Sequence, residues 1–476
     1  MLNTLIERPI FEPIPYRDPA QYALCFQTWD NWVFLDSARA HKTLGRYSFI
    51  AIDPFATLNY SAKNAEERAH CPDVFARIAD QLSEYPLKPC PDLPPFQGGI
   101  AGFFSYDLAR SLEKLPETAC DDKHYPDLTL GFYDVVLSFD NLLKKAWIVS
   151  SGFPEIDPFK RKLRAEARLQ WGLSQIASIP KAPAYPSCFS EAISSNFTRR
   201  AYLKAVARVI EHIRAGDIFE ANISQRFQCT LNPALSPFAL YLRLRESNPA
   251  PVGAYLRFHD TTLLSTSPER FLKLSKGWVE ARPIKGTSQR SKNPDEDRRL
   301  AHALKQSEKD RAENTMVVDL MRNDLSKVCT PGTVKVSRYC GLESYETVHH
   351  LVSVIEGKLQ EDLGSIDVLK AAFPGGSVTG APKVRAMEII EALEPARRGP
   401  YCGSMGYIGF DGSMDLSILI RTCVLKEGVL TFQAGGAIVL DSDPEAEYRE
   451  TLLKAAPLKR VLMRHLTEIP EDDFNH

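Results

Sequence analysis

Between residues 218 and 229 the chain reads IFEANISQRFQC, and in an extended strand this run separates two kinds of side chain almost completely. Phe219, Ala221, Ile223, Phe227 and Cys229 fall on one face, Glu220, Asn222, Ser224, Arg226 and Gln228 on the other, with only Gln225 out of phase. A polar face so complete either meets water or lines a cavity. Upstream, Tyr202, Val206, Val209 and Ile213 share one face of a helix predicted from about Thr198, which stops at Gly216. Downstream, MDLSILIRTCVLKEGVLTFQAGGAIV predicts two strands joined at Lys426-Glu427-Gly428, with glycine where a short hairpin loop wants a left-handed residue. Hairpins among scattered helices make the fold class α+β.

The first half of the chain supplies further strand candidates, NWVFLDS (31–37) and LGFYDVVLSFD (130–140), around the glycine-rich PPFQGGIAGFFSYDLAR (94–110). A helix opens at Asp157-Pro158 and carries Phe159, Leu163 and Leu169. The three prolines of ASIPKAPAYPSCFSEA then mark a linker over 177–192, dividing the chain into an N-terminal region, 1–176, and a second domain, 193–465.

A formal charge of -2 supplies no basic field for nucleic acid or an anionic membrane surface, so a small molecule is the expected ligand. The ten cysteines form no C-x-x-C pair and read as reduced thiols, and no apolar run approaches the roughly 20 residues that a membrane span requires. The expected location is the cytoplasm.

Several segments could carry chemistry. In AAFPGGSVTGAPKVRAMEIIEALEP (371–395) two glycines have P-loop spacing, but Ala381 and Pro382 stand where Lys and Ser or Thr would have to reach phosphate and magnesium, which excludes nucleotide hydrolysis by that route. Two acidic helices, KDRAENTMVVDLMRND (309–324) and DPEAEYRETLLKAA (443–456), set glutamates beside apolar stripes that include Met316, Val317, Leu320 and Met321 in the first and Leu452, Leu453 and Ala456 in the second. Those glutamates are either solvated or positioned to share a magnesium ion, which takes only one or two protein carboxylates. Paired strands around SPERF (267–271) and PIKGT (283–287) bring Glu269 toward Lys285, either as an ordinary ion pair or as an acid and an amine in one pocket. Pro283 and Gly286 constrain the loop that aims Lys285.

Taken together, SPERF, PIKGT, KDRAEN with VDLMRND, VHHLVS, FPGGSVTGAPK with RAMEII, GSMGYIGF, SILIRT and AGGAIVLDS occur in the order seen in the chorismate-utilising enzymes, which the chain resembles over nearly all of 198–455. The resemblance implies antiparallel sheets packed face to face, helices outside, and an active site in the cleft between them. Within the family, PIKGT resembles the aminodeoxychorismate-forming branch, whereas anthranilate synthases carry alanine in place of Lys285. The implied chemistry has the Lys285 amine add to carbon 2 of chorismate as the hydroxyl leaves carbon 4, with Glu269 as general acid, before ammonia attacks carbon 4 and expels the lysine. Such a nucleophile is expected to have its pKa lowered by its pocket.

By the same resemblance Glu313 and Glu450 hold Mg2+, Arg421 and Tyr407 grip the enolpyruvyl carboxylate, His350 and Thr287 flank the ring, and the N–H groups of Gly435 and Gly436 complete the anion site. Glu220 stands where water-using relatives carry lysine and ammonia-using ones usually glutamine, so it binds an ammonium ion, acts as a base or completes a hydrogen-bond network. No glutaminase elbow is present, which implies a separate glutamine amidotransferase subunit as partner. Some relatives hold tryptophan in the region here occupied by FLDSARAHKTLGRYSF (34–49), leaving retention and regulation both open. The rival readings are anthranilate synthase component I and a non-catalytic regulatory or binding homologue.

Overall fold

The structure is a computed structural model that describes residues 8–39, 44–62, 65–70, 73–183, 192–345 and 348–463. Residues 184–191 of the expected linker and 40–43 of the FLDSARAHKTLGRYSF stretch lie outside these.

The described residues form two large antiparallel sheets, one of 12 strands and one of 10, and each draws on both halves of the chain. In the first, Trp32–Asp36 pairs with Gly253–Phe258; in the second, Gly99–Phe104 pairs with Ser404–Gly409. The sheets meet face to face over an apolar layer that includes Val33, Phe49, Leu256 and Val424 from one and Ala101, Phe103 and Met405 from the other. The outer face of the 12-stranded sheet is covered by the helices Pro158–Gln175, Pro237–Ser247 and Pro444–Leu462, that of the 10-stranded sheet by Val74–Ser83, Glu308–Ser326 and Ser365–Ala372. This is the α+β architecture expected.

The alternating run becomes the strand Glu220–Thr230, with Phe219 just outside it and exposed. Its polar face is buried and therefore lines an interior: Arg226 donates to Asp122, and Ser224 donates through both N–H and hydroxyl to Glu394. Gln225, the misfit, is held among apolar neighbours by Thr451 and Ser195. The preceding helix runs Arg199–Arg214, its Thr198 cap accepting from the N–H of Ala201, and Gly216 follows at φ 82°.

Two expected strands are each divided. LGFYDVVLSFD becomes Leu128–Tyr133 in the 10-stranded sheet and Val135–Asp140 in the other, turning at fully buried Asp134, which accepts from Arg168 at 2.8 and 3.0 Å. MDLSILIRTCVLK likewise splits into Met414–Ile418 and Thr422–Lys426, changing sheets at residues 419–421. Both runs are buried on both faces, so no polar side chain in a simple alternation marks the change. In the helix Pro158–Gln175, Phe159 and Leu163 face solvent, and Arg161, Ala165, Leu169 and Gly172 form the buried side. Six residues at 100° each turn Leu169 roughly a third of a circle from Leu163, so the three leucine and phenylalanine positions never shared a face.

Candidate active site

SPERF and PIKGT do not pair with each other. Arg270–Ser275 pairs with Trp278–Ala281, and Ile284–Gln289 pairs with Val348–Lys358. In the latter ladder the register shifts between Ile284 and Thr287, a bulge that re-aims the intervening Lys285. Gly286 sits there at φ 84°, and a Cβ on it would lie 3.0 Å from Asp310 on the helix Glu308–Ser326. The glycine therefore permits both the bulge and the close approach of the helix that carries Glu313.

Lys285 is buried, and its Nζ donates to Glu220 Oε1 at 2.7 Å and lies 4.0 Å from Glu313 Oε2. The expected depression of its pKa is reversed. Burial alone lowers it, but the charges of Glu220, Glu313 and Glu269 prevail and raise it, so the resting side chain is an ammonium. Glu269, fully enclosed at the mouth of its strand, is pushed by burial up to about 7, although Ser377, the N–H of Ile284 and Lys285 all favour its ionised form. It thus keeps a proton near neutrality, as a general acid must. Burial also pushes Glu313 up to about 7, against the pull of Lys285.

Across the ladder Thr287 faces His350, with Oγ1 2.8 Å from Nδ1, and the ring of Tyr345 packs edge-on against the imidazole. Burial, then the charge of Arg421, lowers His350 to about 4, leaving it neutral. Arg421 sits at φ 53° in the crossing between sheets, and its guanidinium donates to the backbone O of Lys454. Among the described residues no carboxylate forms an ion pair with it. A half-buried guanidinium so placed is suited to an anionic ligand.

Tyr407 is not brought to this cleft. It stacks on Phe96 with centroids 4.5 Å apart and lines a cavity of about 280 Å³ between the sheets, together with Ser37, Arg46, Tyr47, Arg270 and Asp415. Strand alternation explains the difference, because Met405 and Tyr407 point into the inter-sheet layer. The described part of FLDSARAHKTLGRYSF borders the same cavity that Tyr407 lines.

The two acidic helices do converge, although Leu453 in the second faces solvent. Lys309 lies 3.9 Å from Glu313 and 3.5 Å from Glu447, and Lys454 lies 2.5 Å from Glu450. Glu450 is lowered on balance, burial being outweighed by Lys454. Glu447 was also missed, though its three-residue spacing from Glu450 on one helix face was legible. Its Oε2 is buried without a hydrogen bond, and a Cβ on Gly436 would lie 3.0 Å from that oxygen and 3.3 Å from Glu450 Oε1. Gly436 and Gly435 belong to Val429–Ile438, where the Gly435 carbonyl accepts from Lys454. Among the described residues no three His, Cys, Asp or Glu side chains already converge as a metal site, and lysines occupy the spaces between the carboxylates. The orphaned oxygen and the glycine gap nevertheless fit a hydrated magnesium ion, which needs only one or two carboxylates.

The family described as chorismate binding enzyme matches residues 30–460. The chain is 42% identical over 467 residues to aminodeoxychorismate synthase component 1 of Salmonella typhimurium, covering 95% of this chain and 98% of that one. It is 44% identical over 378 residues to anthranilate synthase component 1 of Thermus thermophilus, covering 79% and 80%. The crystal structure of anthranilate synthase component I from Streptococcus pneumoniae superposes with a TM-score of 0.75 at 29% identity, covering 88% of this chain and 92% of that one.

Proposed function

The chain belongs to the chorismate-binding enzymes, and we propose that within them it aminates chorismate to 4-amino-4-deoxychorismate, on the way to 4-aminobenzoate and folate. Relatives named aminodeoxychorismate synthase component 1 span almost its whole length. The anthranilate synthases match nearly as well, so identity alone does not choose between products. The observation that carries the choice is Lys285, held by a bulge in a buried cleft with Glu269, Glu313, His350 and Arg421 around it.

In this reading Lys285 gives up a proton to solvent and its Nζ bonds to ring carbon 2, the ring double bonds shift, and Glu269 delivers its proton to the hydroxyl, which leaves carbon 4 as water, after which Glu269 regains a proton from solvent. Neutral His350 and Thr287 flank the ring, and Arg421 takes the enolpyruvyl carboxylate. Glu313 and Glu450, with Glu447 beside them, would hold magnesium, which would supply positive charge for the ring carboxylate. The component 1 relatives' names imply a second component. For this chain we assign that role to a glutamine amidotransferase subunit supplying ammonia. No described helix is long and apolar enough to cross a membrane, and the described cysteines are free thiols, in keeping with the cytoplasm as the proposed setting.

The test is the purified protein with chorismate, magnesium and an ammonium salt, which should yield aminodeoxychorismate. Lys285→Ala should nearly abolish that product while chorismate still binds, because the loss falls on a covalent step. Lys285→Arg should also fail, since arginine keeps the charge but stays protonated. Anthranilate as the main wild-type product, or normal product from the arginine variant, would overturn the reading.

A further inference from the structure

The strand Ile284–Gln289, which carries Lys285 and Thr287, stands at the edge of its sheet and among the described residues pairs on one side only, with Val348–Lys358. The bulge at Lys285 and Gly286 breaks that ladder. Beyond the break only Thr287, Ser288 and Gln289 keep partners, namely His350, His349 and Val348. An interrupted edge strand has little backbone pairing of its own with which to hold a nucleophile still. Its near end is tied where the Ser353 N–H donates to the Pro283 carbonyl at 3.2 Å. Its far end is tied by a side chain, Asp297, from the first turn of the helix Pro294–Gln306.

Asp297 gathers donors from both strands. Arg290, next after the edge strand, donates through Nε to Oδ1 at 2.9 Å and through Nη2 to Oδ2 at 2.6 Å, and the Ser291 N–H donates to Oδ1 at 3.1 Å. The bonds from Arg290 hold the Asp297 carboxyl well below the usual carboxylate range, so it is ionised and only accepts. His349, on the neighbouring strand and 2% exposed, therefore donates from Nε2 to Oδ1, at 3.0 Å. Its Nδ1 lies 2.8 Å from Ser344 Oγ on a third strand, Lys335–Ser344. His349 and His350 are consecutive and point to opposite faces, one ring clamped behind the sheet and the other lining the cleft. The register sets Ser288, His349 and Ser344 in one row and Thr287, His350 and Glu343 in the next. Adjacent rows share their backbones, so a clasp on the first row steadies the second.

We propose that Asp297 is a positioning residue for the amination, clasping Arg290 and His349 from behind the sheet so that Lys285 and Thr287 keep their place relative to His350 and the bound ring. The inference rests on the reading that these residues form the amination cleft. Arg421, Glu313 and Glu450, assigned to the carboxylates of the substrate, belong to other elements, so chorismate should still bind when the clasp is cut. The loss falls on the geometry of attack, where a misplacement on the order of 1 Å costs about a hundredfold.

Asp297→Asn keeps the size and one acceptor oxygen but gives up the paired bonds to Arg290. In this variant kcat for aminodeoxychorismate should fall about tenfold or more, while the Kd of chorismate, read by calorimetry, moves less than about threefold. Asp295→Asn, which removes the exposed pair with Arg298 on the same helix, should match the wild type in both. Combining Asp297→Asn with His349→Gln should cost little more than the worse single variant, because the two act as one unit. In spectra of protein labelled with 15N on histidine, with His350 assigned through His350→Gln, the ring signals of His350 should shift in Asp297→Asn and stay in place in Asp295→Asn. An unchanged kcat, losses of kcat and affinity in parallel, additive losses in the double variant, or unmoved His350 signals would each overturn the role assigned to Asp297. A wild-type protein that makes no aminodeoxychorismate would overturn the proposed function and with it the link to amination, whereas the His350 signals would still decide whether Asp297 sets the position of that ring.

Discussion

Glu269 illustrates what a single buried carboxyl does to the whole protein's pH dependence. Burial raises its pKa from 4.5 to about 7. The unfolded chain therefore releases this proton at lower pH than the folded one, the folded state binds more protons in between, and stability falls as pH rises through that window. Glu269→Gln removes the contribution. Its stability relative to wild type should climb from about pH 4.5 to about pH 7 and level off above, by up to about 3 kcal/mol from the size of the shift, while the amination rate collapses. Calorimetry across pH 4 to 8 reads the first effect. An unchanged difference across that range would mean that the carboxyl ionises in the fold as it does in water. At this scale the sequence was legible in which residues would share the cleft, as for Lys285, Glu269 and the Thr287–His350 pair. It was illegible where neighbours decide. The raised pKa of Lys285 follows from three carboxylates on separate segments, and the placement of Tyr407 away from the cleft follows from which way a strand faces.

The elements that matter most to the cleft are those meeting at Gly436, where Val429–Ile438 passes beneath the carboxylates of Pro444–Leu462. Its φ lies outside the left-handed region, so alanine is acceptable to the backbone and the conflict is confined to the space beside Glu447 and Glu450. Gly436→Ala should weaken magnesium affinity by about tenfold or more, since ligand positioning is worth that order, with little change in melting temperature. Magnesium titrations by calorimetry check it directly. Helices with caps, such as Thr198 to Arg214, could be bounded from sequence because cap and stop residues act locally. The sheet crossings at Asp134 and at residues 419–421 could not, because both sides of each break are strand and both are buried. Asp134 is held at its crossing by Arg168, with Arg164 at 3.7 Å. Asp134→Ala should cost about 1.5–3 kcal/mol, the order for hydrogen bonds to a charged group, because Arg168 keeps its pair with Asp53; urea denaturation measures it.

Across the whole molecule, composition and resemblance anticipated the class and the paired sheets, yet a division at the proline-rich stretch does not convey how the halves are joined. Trp32–Asp36 against Gly253–Phe258, and Gly99–Phe104 against Ser404–Gly409, stitch both sheets through both halves. Unfolding should therefore occur as one cooperative transition, and a fragment of residues 193–463 expressed alone should fail to fold, since two long strand edges would be left unpaired. Two separated calorimetric transitions would contradict this. The same interleaving also orders events during synthesis. Lys285 leaves the ribosome well before Arg421, and Glu447 and Glu450 come in the last described helix. Strands made early must wait for neighbours encoded hundreds of residues later, so a nascent chain holds no complete cleft until the helix Pro444–Leu462 has emerged.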